Sequence, residues 1–465
     1  MGDKKPAIFW LRQDLRLEDN PALHAASKHP LLALYIWDEE NPWLPGRAAR
    51  WWLSRSLNSL QSSFQERGVQ LIFKRGKPLN IIKKLIDEIN GCAVYWNRCY
   101  EPYAIKRDGE IKSYLKDIGI ICESFKASLL AEPWELQTKT EKPFQVFTPF
   151  WKAFQCLTFP KPLPIPDIHG YKSCIFSDEI QAWKLNPTLW GSGFQDAWRP
   201  GEAGAWKKMN RFLEDIIEKY ALQRDYPSEN FTSRLSPHLH WGEISPRQIW
   251  QVVAQLYGED ASPFLRQLAW REFSYHLLFH FPKLPSEPLR SSFNKFPWKS
   301  NSEALKAWQE GKTGYPIVDA GIRELWHTGW MHNRVRLIVG SFLVKDLLIP
   351  WQKGEEWFWD TLVDADLANN ASSWQWVAGC GADAAPFFRI FNPVLQSQKF
   401  DPQGLYIKKW VPELQDLDSS HIHAPWKASF ENLENAGVEL GTNYPFPIID
   451  HAFARTRALD TFRKC

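Results

Sequence analysis

Paired cysteines are missing from this chain. Its seven cysteines are scattered without a CxxC pair, which argues against a zinc site or a four-cysteine iron–sulfur cluster. Without a disulfide framework, we expect reduced thiols. The chain also has no apolar run long enough to cross a bilayer, and its first residues lack the apolar core of a signal peptide. We therefore expect a cytoplasmic protein with neither a membrane span nor a metal site.

Two further features are scarce. No GxGxxG motif follows the first apolar run, which argues against a dinucleotide site of the common oxidoreductase type. The net charge is only +3. Any binding of nucleic acid must therefore depend on a local cluster of cations rather than on the charge of the whole molecule.

Tryptophan, by contrast, is abundant, with 26 residues in a chain of 465. A tryptophan-rich core would explain this number, and so would indoles that stack on bases or donate single electrons. Composition alone leaves these explanations open. The length exceeds what one hydrophobic core usually supports and predicts two domains.

The first part of the chain, residues 1–128, alternates short apolar runs with helical patterns. The runs predicted as strands are Ala7–Leu11, Leu31–Trp37, Val69–Phe73, Ala93–Trp96 and Ile120–Ser124. The helices predicted between them are Pro21–Ser27, Arg47–Glu66, Pro78–Asn90 and Pro102–Asp117. This alternation predicts an α/β domain with a parallel, Rossmann-like sheet that is covered on both faces.

Periodicity is lost over residues 129–198, where prolines cluster in PKPLPIP, and we expect a long connector there. Helical periodicity then dominates to about residue 415, so residues 199–465 are predicted to form an all-α domain. Two dipeptides, Ser236-Pro237 and Ser245-Pro246, each predict a helix start with the serine as N-cap.

The stretch 357–393 concentrates polar and aromatic side chains. It contains Asp364, Asp366, Asn369, Asn370, Trp374 and Trp376. Buried polar groups need hydrogen-bond partners, and a flat cofactor with polar edges would supply them. Together with TSRLSP at 232–237 and the opening FWLRQDLRLEDNPAL, this stretch resembles the photolyase/cryptochrome flavoproteins. It is most similar to the bacterial class I cyclobutane pyrimidine dimer (CPD) photolyases, and the resemblance extends along almost the whole chain.

The resemblance implies that the all-α domain binds FAD. The residues implied to hold it are Tyr220, Thr232, Ser233, Arg234, Leu235, Ser236, Arg271, Asn333, Arg336, Asp364, Asp366 and Asn370. Taken alone, TSRLSP is typical of an ordinary capped helix start. The family pairs Arg336 with Asp364 and places Asn370 beside the flavin N5. A neutral amide there is compatible with a reduced, anionic flavin, whereas a carboxylate would disfavour it.

The implied reaction is repair of UV-damaged DNA. Excited, reduced FAD donates an electron to a cyclobutane pyrimidine dimer, the ring opens and the electron returns. The family extrudes the lesion from the duplex. The residues implied to contact DNA are Arg224, Gln267, Trp270, Arg334, Leu337, Trp376 and Arg389. The residues implied in catalysis are Gln267 and Asn333, together with Trp374, Trp351 and Trp298, which match the chain that photoreduces the flavin.

Two positions depart from the class I pattern, which has Glu at Gln267 and Met at Leu337. Gln can donate an N–H bond but cannot readily transfer a proton, whereas Leu roughly preserves the volume of Met. The (6-4) photolyases also carry this Gln, but their histidines at the positions of Asn333 and Leu337 are absent here. CPD repair is therefore compatible with the sequence, and its efficiency is left open.

Two alternatives remain at this stage. One is a photosensory cryptochrome that repairs nothing, and the other is a nonspecific nucleic-acid-binding protein with a vestigial flavin site. The resemblance also implies an antenna chromophore in the first domain, either methenyltetrahydrofolate or 8-hydroxy-deazaflavin, and a monomeric protein. The sequence does not identify the antenna.

Overall fold

Five short strands form a fully parallel sheet in the computed structural model, which describes residues 4–172, 174–185, 190–258 and 262–464. The strands are β1 (Ala7–Leu11), β2 (Leu31–Trp37), β3 (Leu71–Arg75), β4 (Ala93–Asn97) and β5 (Ile121–Phe125). Their order is β3-β2-β1-β4-β5, and each neighbouring pair is parallel. The predicted parallel α/β architecture is confirmed, although β3 begins two residues later than its apolar run.

Helices cover both faces of this sheet, which is why β1 and β2 are buried along their whole length. The helices are α1 (Pro21–Ala26), α2 (Arg47–Gln65), α3 (Pro78–Ile89) and α4 (Pro102–Asp117). Three of them carry proline in the first turn, where the missing N–H breaks no helical bond. The edge strand β5 is more exposed and partly polar.

The rest of the described chain is helical. Its helices are α5 (Phe147–Phe154), α6 (Phe194–Ala197), α7 (Glu202–Arg211), α8 (Ile217–Gln223), α9 (Ser236–His240), α10 (Pro246–Tyr257), α11 (Ser262–His280), α12 (Ser302–Gln309), α13 (Pro316–Thr328), α14 (Asn333–Ser341), α15 (Trp351–Thr361), α16 (Leu367–Ala378), α17 (Pro393–Phe400), α18 (Leu405–Trp410), α19 (Phe430–Asn435) and α20 (His451–Arg463). Among the described residues, every helix is too short or too polar to span a bilayer.

The predicted connector 129–198 has structure of its own, because α5 and α6 lie within it. Residues 173 and 186–189 of that connector lie outside the described part of the chain. Helical structure also continues past residue 415, where the periodicity weakens, into α19 and α20. The proposed domain bounds of 1–128, 129–198 and 199–465 therefore stay a prediction.

The two predicted N-caps differ in outcome. Ser245 caps α10 in a reciprocal capping box with Gln248, as the Ser-Pro pattern predicts. The prediction for Ser236 is wrong, because this serine is the first residue of α9 and Leu235 occupies the N-cap position. Its hydroxyl instead donates to Asp364 Oδ2 at 2.6 Å. The Ser236 hydroxyl therefore does not cap α9, because it is bonded to the buried carboxylate of Asp364, which lies 128 residues away in the sequence.

A buried carboxylate ties the sheet domain to the helices. Asp19 follows β1 and is fully buried, with a positive φ of 50°. It accepts hydrogen bonds from Arg247 Nε at 3.0 Å and Nη2 at 2.6 Å, and from the hydroxyl of Ser245. Both ions have left water, so removal of either one leaves an uncompensated buried charge.

This geometry gives a stability prediction for Asp19→Asn. Asn keeps the shape and tolerates the positive φ, but it leaves Arg247 without its counter-charge. We expect the free energy of unfolding to fall by about 3 kcal/mol, measured from the urea midpoint. Glu287→Gln removes one partner of the exposed pair with Lys283 and serves as control, with an expected loss of about 0.4 kcal/mol. Equal losses in the two variants would contradict the interpretation.

Candidate functional site

The helices α8, α9, α11, α14, α15 and α16 surround a cavity of about 500 Å³, within the usual range for small-molecule sites. The sequence-predicted residues that line this main cavity are Tyr220, Ser233, Leu235, Ser236, Gln267, Trp270, Arg271, Asn333, Arg336, Leu337, Asp364, Asp366, Asn370, Trp374 and Trp376. The structure thus brings most of the predicted cofactor and substrate residues to one place. Their individual roles stay predictions.

One wall is organised by the carboxylate of Asp366, the N-cap of α16. It accepts from the Asn369 backbone N–H at 2.9 Å and from the Tyr275 hydroxyl at 2.5 Å, and His240 Nδ1 lies 3.3 Å away. Burial by itself would raise the pKa of Asp366. Attraction and hydrogen bonding from His240, with help from Arg271 and Tyr275, instead hold that pKa well below its usual range. Asp366 is therefore a fixed anion that can accept a hydrogen bond from a ligand.

A second carboxylate, that of Asp364, lies two residues before Asp366 in the sequence. Arg336 Nη2 contacts its two oxygens at 2.8 Å and 3.1 Å, forming the ion pair that the resemblance implies. Ser236 Oγ donates to Asp364 at 2.6 Å and accepts from Trp330 Nε1 at 3.3 Å. Through Asp364 these bonds connect Ser236 of α9 to Arg336 of α14.

Amides and a hydroxyl along α16 leave polar capacity for a ligand. Asn370 Nδ2 donates to the Glu355 carbonyl at 3.1 Å, which leaves its Oδ1 as an acceptor. Ser372 Oγ is buried without a partner among the described residues, although Ser372 lines the main cavity. A native structure rarely leaves such atoms unpaired, so the wall is suited to a molecule with polar edges.

The opposite part of the cavity has aromatic walls. Trp270 on α11 stacks on Phe147 of α5, with ring centroids 3.7 Å apart and planes 6° from parallel. Trp376 on α16 also lines the cavity. Gln267 Nε2 donates to the Pro263 carbonyl at 3.2 Å, which leaves the amide oxygen as the acceptor. Stacking surfaces beside a polar group are suited to a nucleobase.

The three predicted electron-donating indoles differ in burial. Trp374 is 3% exposed and Trp351 1% exposed, whereas Trp298 is half-buried. A Cβ at Gly354 would lie 2.1 Å from the Trp374 ring, so the absence of a side chain there lets α15 pack directly on this indole. Trp374 lines the main cavity and Trp298 is the most exposed of the three, and their role in electron transfer stays a prediction.

Some predicted cofactor residues lie elsewhere. Thr232 and Arg234 are not among the described residues that line the main cavity. The Arg234 guanidinium lies 4.4 Å from the Trp330 ring and 5.1 Å from the Trp198 ring, with Nη2 3.8 Å from Glu324. It therefore supports the back of the loop, whereas the resemblance implies contact with FAD phosphates.

Arginines predicted to contact DNA lie at an adjoining concavity of about 430 Å³. This side groove is lined by Leu222, Asp225, Tyr226, Arg334, Leu337, Trp376, Arg389, Phe391, Gln396, Lys399 and Phe400. Leu337 and Trp376 line the main cavity as well, so the two spaces share a wall. Arg224 lies outside both linings, with its guanidinium 5.5 Å from the Tyr220 ring.

Sequence reasoning missed several contributors. Phe147 comes from the connector, more than a hundred residues before its partner Trp270, and no local pattern pairs them. His240 and Tyr275 were unassigned, although each lies on a helix that already carried predicted site residues. Spacing supplied a usable signal for Tyr275, because it follows Arg271 by four residues and so shares its helix face. No sequence pattern indicated that the Ser372 hydroxyl would lack a partner among the described residues.

Known protein families match both parts of the chain: "DNA photolyase" matches residues 7–167 and "FAD binding domain of DNA photolyase" matches residues 264–464. A deoxyribodipyrimidine photo-lyase from Agrobacterium fabrum is 48% identical, over 98% of this chain and 97% of its own length. The chain belongs to the photolyase/cryptochrome family. Cryptochrome-1 from Arabidopsis thaliana is 39% identical, over 97% of this chain and 69% of its own length.

A solved structure refines this assignment. The crystal structure of a bacterial class III photolyase from Agrobacterium tumefaciens superposes with a TM-score of 0.96, covering 99% of this chain and 98% of that one at 47% identity. Membership of the family is confirmed, but the expected class I assignment is not supported. The departures at Gln267 and Leu337 from the class I pattern agree with that correction.

The main cavity fits the family's cofactor, FAD. Its polar wall offers the Asp366 anion and the Asn370 carbonyl oxygen as acceptors, and Ser372 has an unsatisfied hydroxyl. Ser236, at the loop predicted to bind phosphate, is among the exposed residues of the chain even though its neighbours Leu235 and Pro237 are buried. An isoalloxazine ring has donors and acceptors along one edge and could use these groups.

A pH prediction concerns Glu355, whose backbone carbonyl accepts from Asn370. Burial raises the pKa of Glu355 to about 9 from an ordinary 4.5. Because the folded-state pKa is the higher one, the stability contribution is complete below 4.5 and is lost as the pH rises to about 9. Glu355→Gln is neutral throughout. We expect it to match the parent at the acid end of this window and to be more stable than the parent at the alkaline end.

The unfolding midpoint in urea, measured near both ends of the window, checks this prediction. Glu287→Gln is the control, because Glu287 is exposed and paired with Lys283 and is not among the groups that shift the pKa of Glu355. The control should follow the parent at each pH. A Glu355→Gln variant that loses stability in parallel with the parent would show that this acid is ionised in the folded protein.

Proposed function

We propose that this protein is a light-driven DNA photolyase that splits cyclobutane pyrimidine dimers with bound FAD. The observation that supports this proposal is the continuity of one cavity, in which a polar wall around Asp366 and Asn370 meets aromatic walls at Trp270 and Trp376. When bound in its reduced form, FAD supplies the light-excited electron that opens the cyclobutane ring, and the electron returns afterwards. Every other contribution comes from side chains of this chain.

The polar wall would hold and orient the cofactor. Asp366 would accept a hydrogen bond from the cofactor, and the Oδ1 of Asn370 would accept another, because the Asn370 Nδ2 is already bonded to Glu355. Ser233 and Ser236 face the cavity at the start of α9 and would contact the phosphates. The Arg336–Asp364 pair also lines the cavity, and each charge of the pair is balanced by the other.

The aromatic part would hold the dimer. The stack on Phe147 fixes the orientation of the Trp270 ring. Trp376 gives a second stacking surface where the main cavity adjoins the side groove. The Gln267 amide can hydrogen-bond a thymine, but it cannot deliver a proton to a thymine carbonyl as a carboxylic acid could. A base that leaves the duplex gains this stacking in place of the stacking it has lost.

Cations around the side groove would contact the DNA backbone. Arg334 and Arg389 line it. Arg224 does not line it but directly precedes the groove residue Asp225 in the sequence. Such contacts release counterions and supply affinity without reading sequence. UV-damaged DNA is therefore the proposed partner, bound by a monomer in the cytoplasm, and an antenna chromophore of either proposed kind would bind in the sheet domain.

A photosensory role without repair is the second candidate. Two observations favour it: identity of 39% to a plant cryptochrome, and Gln267 in place of the acid of CPD enzymes. Asn370 argues for repair instead, since a neutral amide suits a reduced flavin. The affinity for DNA distinguishes the two candidates. A photolyase should bind dimer-containing DNA more tightly than undamaged DNA, whereas a photoreceptor without repair activity should show no such preference.

Illumination of purified, FAD-loaded and reduced protein with dimer-containing DNA should remove the dimers, and darkness should not. Trp376→Ala should weaken binding of dimer-containing DNA roughly tenfold, the loss expected for one stacked base. Trp134→Ala is the control, because Trp134 is 44% exposed and lines neither cavity. Chromatographic quantification of dimers and equilibrium binding check the two expectations. Failure of dimers to disappear in the light would refute the proposed function.

A separate prediction concerns Gln267→Glu. A carboxylic acid can transfer a proton to the thymine carbonyl, so we expect more dimers repaired per absorbed photon than with the parent. The gain should shrink as the pH rises and the acid ionises, whereas the parent should show no such dependence at this residue. Repair yield measured across pH in both proteins checks this. A variant that repairs less than the parent at every pH would show that the amide is the better group here.

A further inference from the structure

The side groove contains an acid where a DNA-binding surface would ordinarily have none. Among the described residues that line it, Arg334, Arg389 and Lys399 are cationic and Asp225 alone is acidic. A carboxylate there repels phosphate and opposes the attraction of the three cations. Its position therefore calls for an explanation beyond a solvated surface charge.

Asp225 holds one of these cations in a defined position. Arg334 Nη2 lies 2.6 Å from Asp225 Oδ2, and the Arg334 guanidinium is 4.3 Å from the centre of the Phe400 ring. The two side chains are 21% and 35% exposed, so the pair is within reach of a ligand. The cation is thus neutralised and held on an aromatic face in the free protein.

No second cation competes for this carboxylate within the described residues, where Asp225 forms an ion pair with Arg334 only. The nearby imidazole of His332 is buried, and burial lowers the pKa of His332 to about 4 in spite of Asp225. It is therefore neutral at physiological pH. Displacement of Arg334 would leave Asp225 unbalanced, so any phosphate that takes Arg334 must compete with this acid.

The groove adjoins the site proposed for the dimer, because Leu337 and Trp376 line both spaces. A nucleotide that enters the main cavity carries its own phosphates past this shared wall. In undamaged duplex the bases stay stacked, so we expect no phosphate at this shared wall. Arg334 is thus positioned to meet the backbone only when bases have left the duplex.

We propose that Asp225 is a latch for Arg334 that lowers the affinity for dimer-containing DNA. In the free protein Asp225 holds Arg334; when a dimer enters the main cavity, Arg334 exchanges the carboxylate for a backbone phosphate, which a guanidinium can bind in a fork. When the repaired bases return to the duplex, Arg334 returns to Asp225, which favours release of the product. This inference rests on the DNA-repair function proposed above.

The test is equilibrium binding in the dark, over a series of salt concentrations, to dimer-containing duplex and to the same duplex undamaged. Asp225→Asn should bind dimer-containing DNA roughly threefold more tightly than the parent, the size expected from one partly exposed charge pair. Its salt dependence on that DNA should be steeper by about one, because in the parent the carboxylate that Arg334 leaves takes up a counterion, which offsets the one released from the phosphate, and the amide does not. Binding to undamaged DNA should be unchanged.

Two further variants make the assignment specific. In an Arg334→Gln background, Asp225→Asn should have no effect on dimer-containing DNA, because the carboxylate acts through Arg334. Asp360→Asn is the matched control, since Asp360 pairs with Arg47 outside both cavities, and it should leave both affinities unchanged.

The outcomes separate this inference from the proposed function. A parent protein without any preference for dimer-containing DNA would overturn the proposed function, and the latch with it. A parent with that preference, together with an Asp225→Asn variant that binds dimers no more tightly, overturns the latch alone. The latch is also overturned if the variant gains equally on undamaged DNA, or if the gain persists when Arg334 is replaced.

Discussion

The carboxylate of Asp366 joins three helices at one point, in addition to the apolar packing between α11 and α16. It caps α16 through Asn369, receives the hydroxyl of Tyr275 from α11, and lies beside His240 of α9. A buried anion is costly unless its donors are in place, so these helices are tied to one arrangement. The polar wall of the cavity follows from that arrangement, because Asn370 stands one turn along the same capped helix.

Features set by residues that lie close together in the sequence were predictable, whereas features set by residues far apart were not. Alternating apolar runs gave the parallel sheet almost to the residue, since strand and helix periods are local. The cavity residues came from motifs whose members lie close together, such as Asp364 with Asp366. Contacts across long separations were not predictable, and the stack of Phe147 on Trp270 and the use of the Ser236 hydroxyl by Asp364 are of this kind. The contacts of Arg234 with Glu324 and Trp330 are also of this kind, and its predicted contact with FAD stays a prediction.

Holding a cavity open among packed helices has a physical cost. Atoms that line it forgo contacts, and polar atoms such as Ser372 Oγ lack partners. A ligand that fills the space and pairs these atoms binds the folded state alone and so stabilises it. The close approach of Gly354 to Trp374 shows the opposite behaviour a few ångströms away, where packing is so tight that even a methyl group has no room. The cavity is therefore a local exception within a dense core.

The shared wall of the two cavities joins recognition to chemistry. Trp376 and Leu337 belong to both spaces, so in the proposed function a base in the main cavity and the phosphate beside it would contact the same two side chains. Affinity from the backbone and selectivity for a flipped lesion are then coupled through one contiguous surface rather than through a distant change of shape. In the proposed function, a group that alters the charge of the side groove therefore acts on binding of the lesion, because the two spaces adjoin. That coupling explains why an acid among the groove's cations matters more here than it would on an ordinary protein surface, where one exposed ion pair changes little.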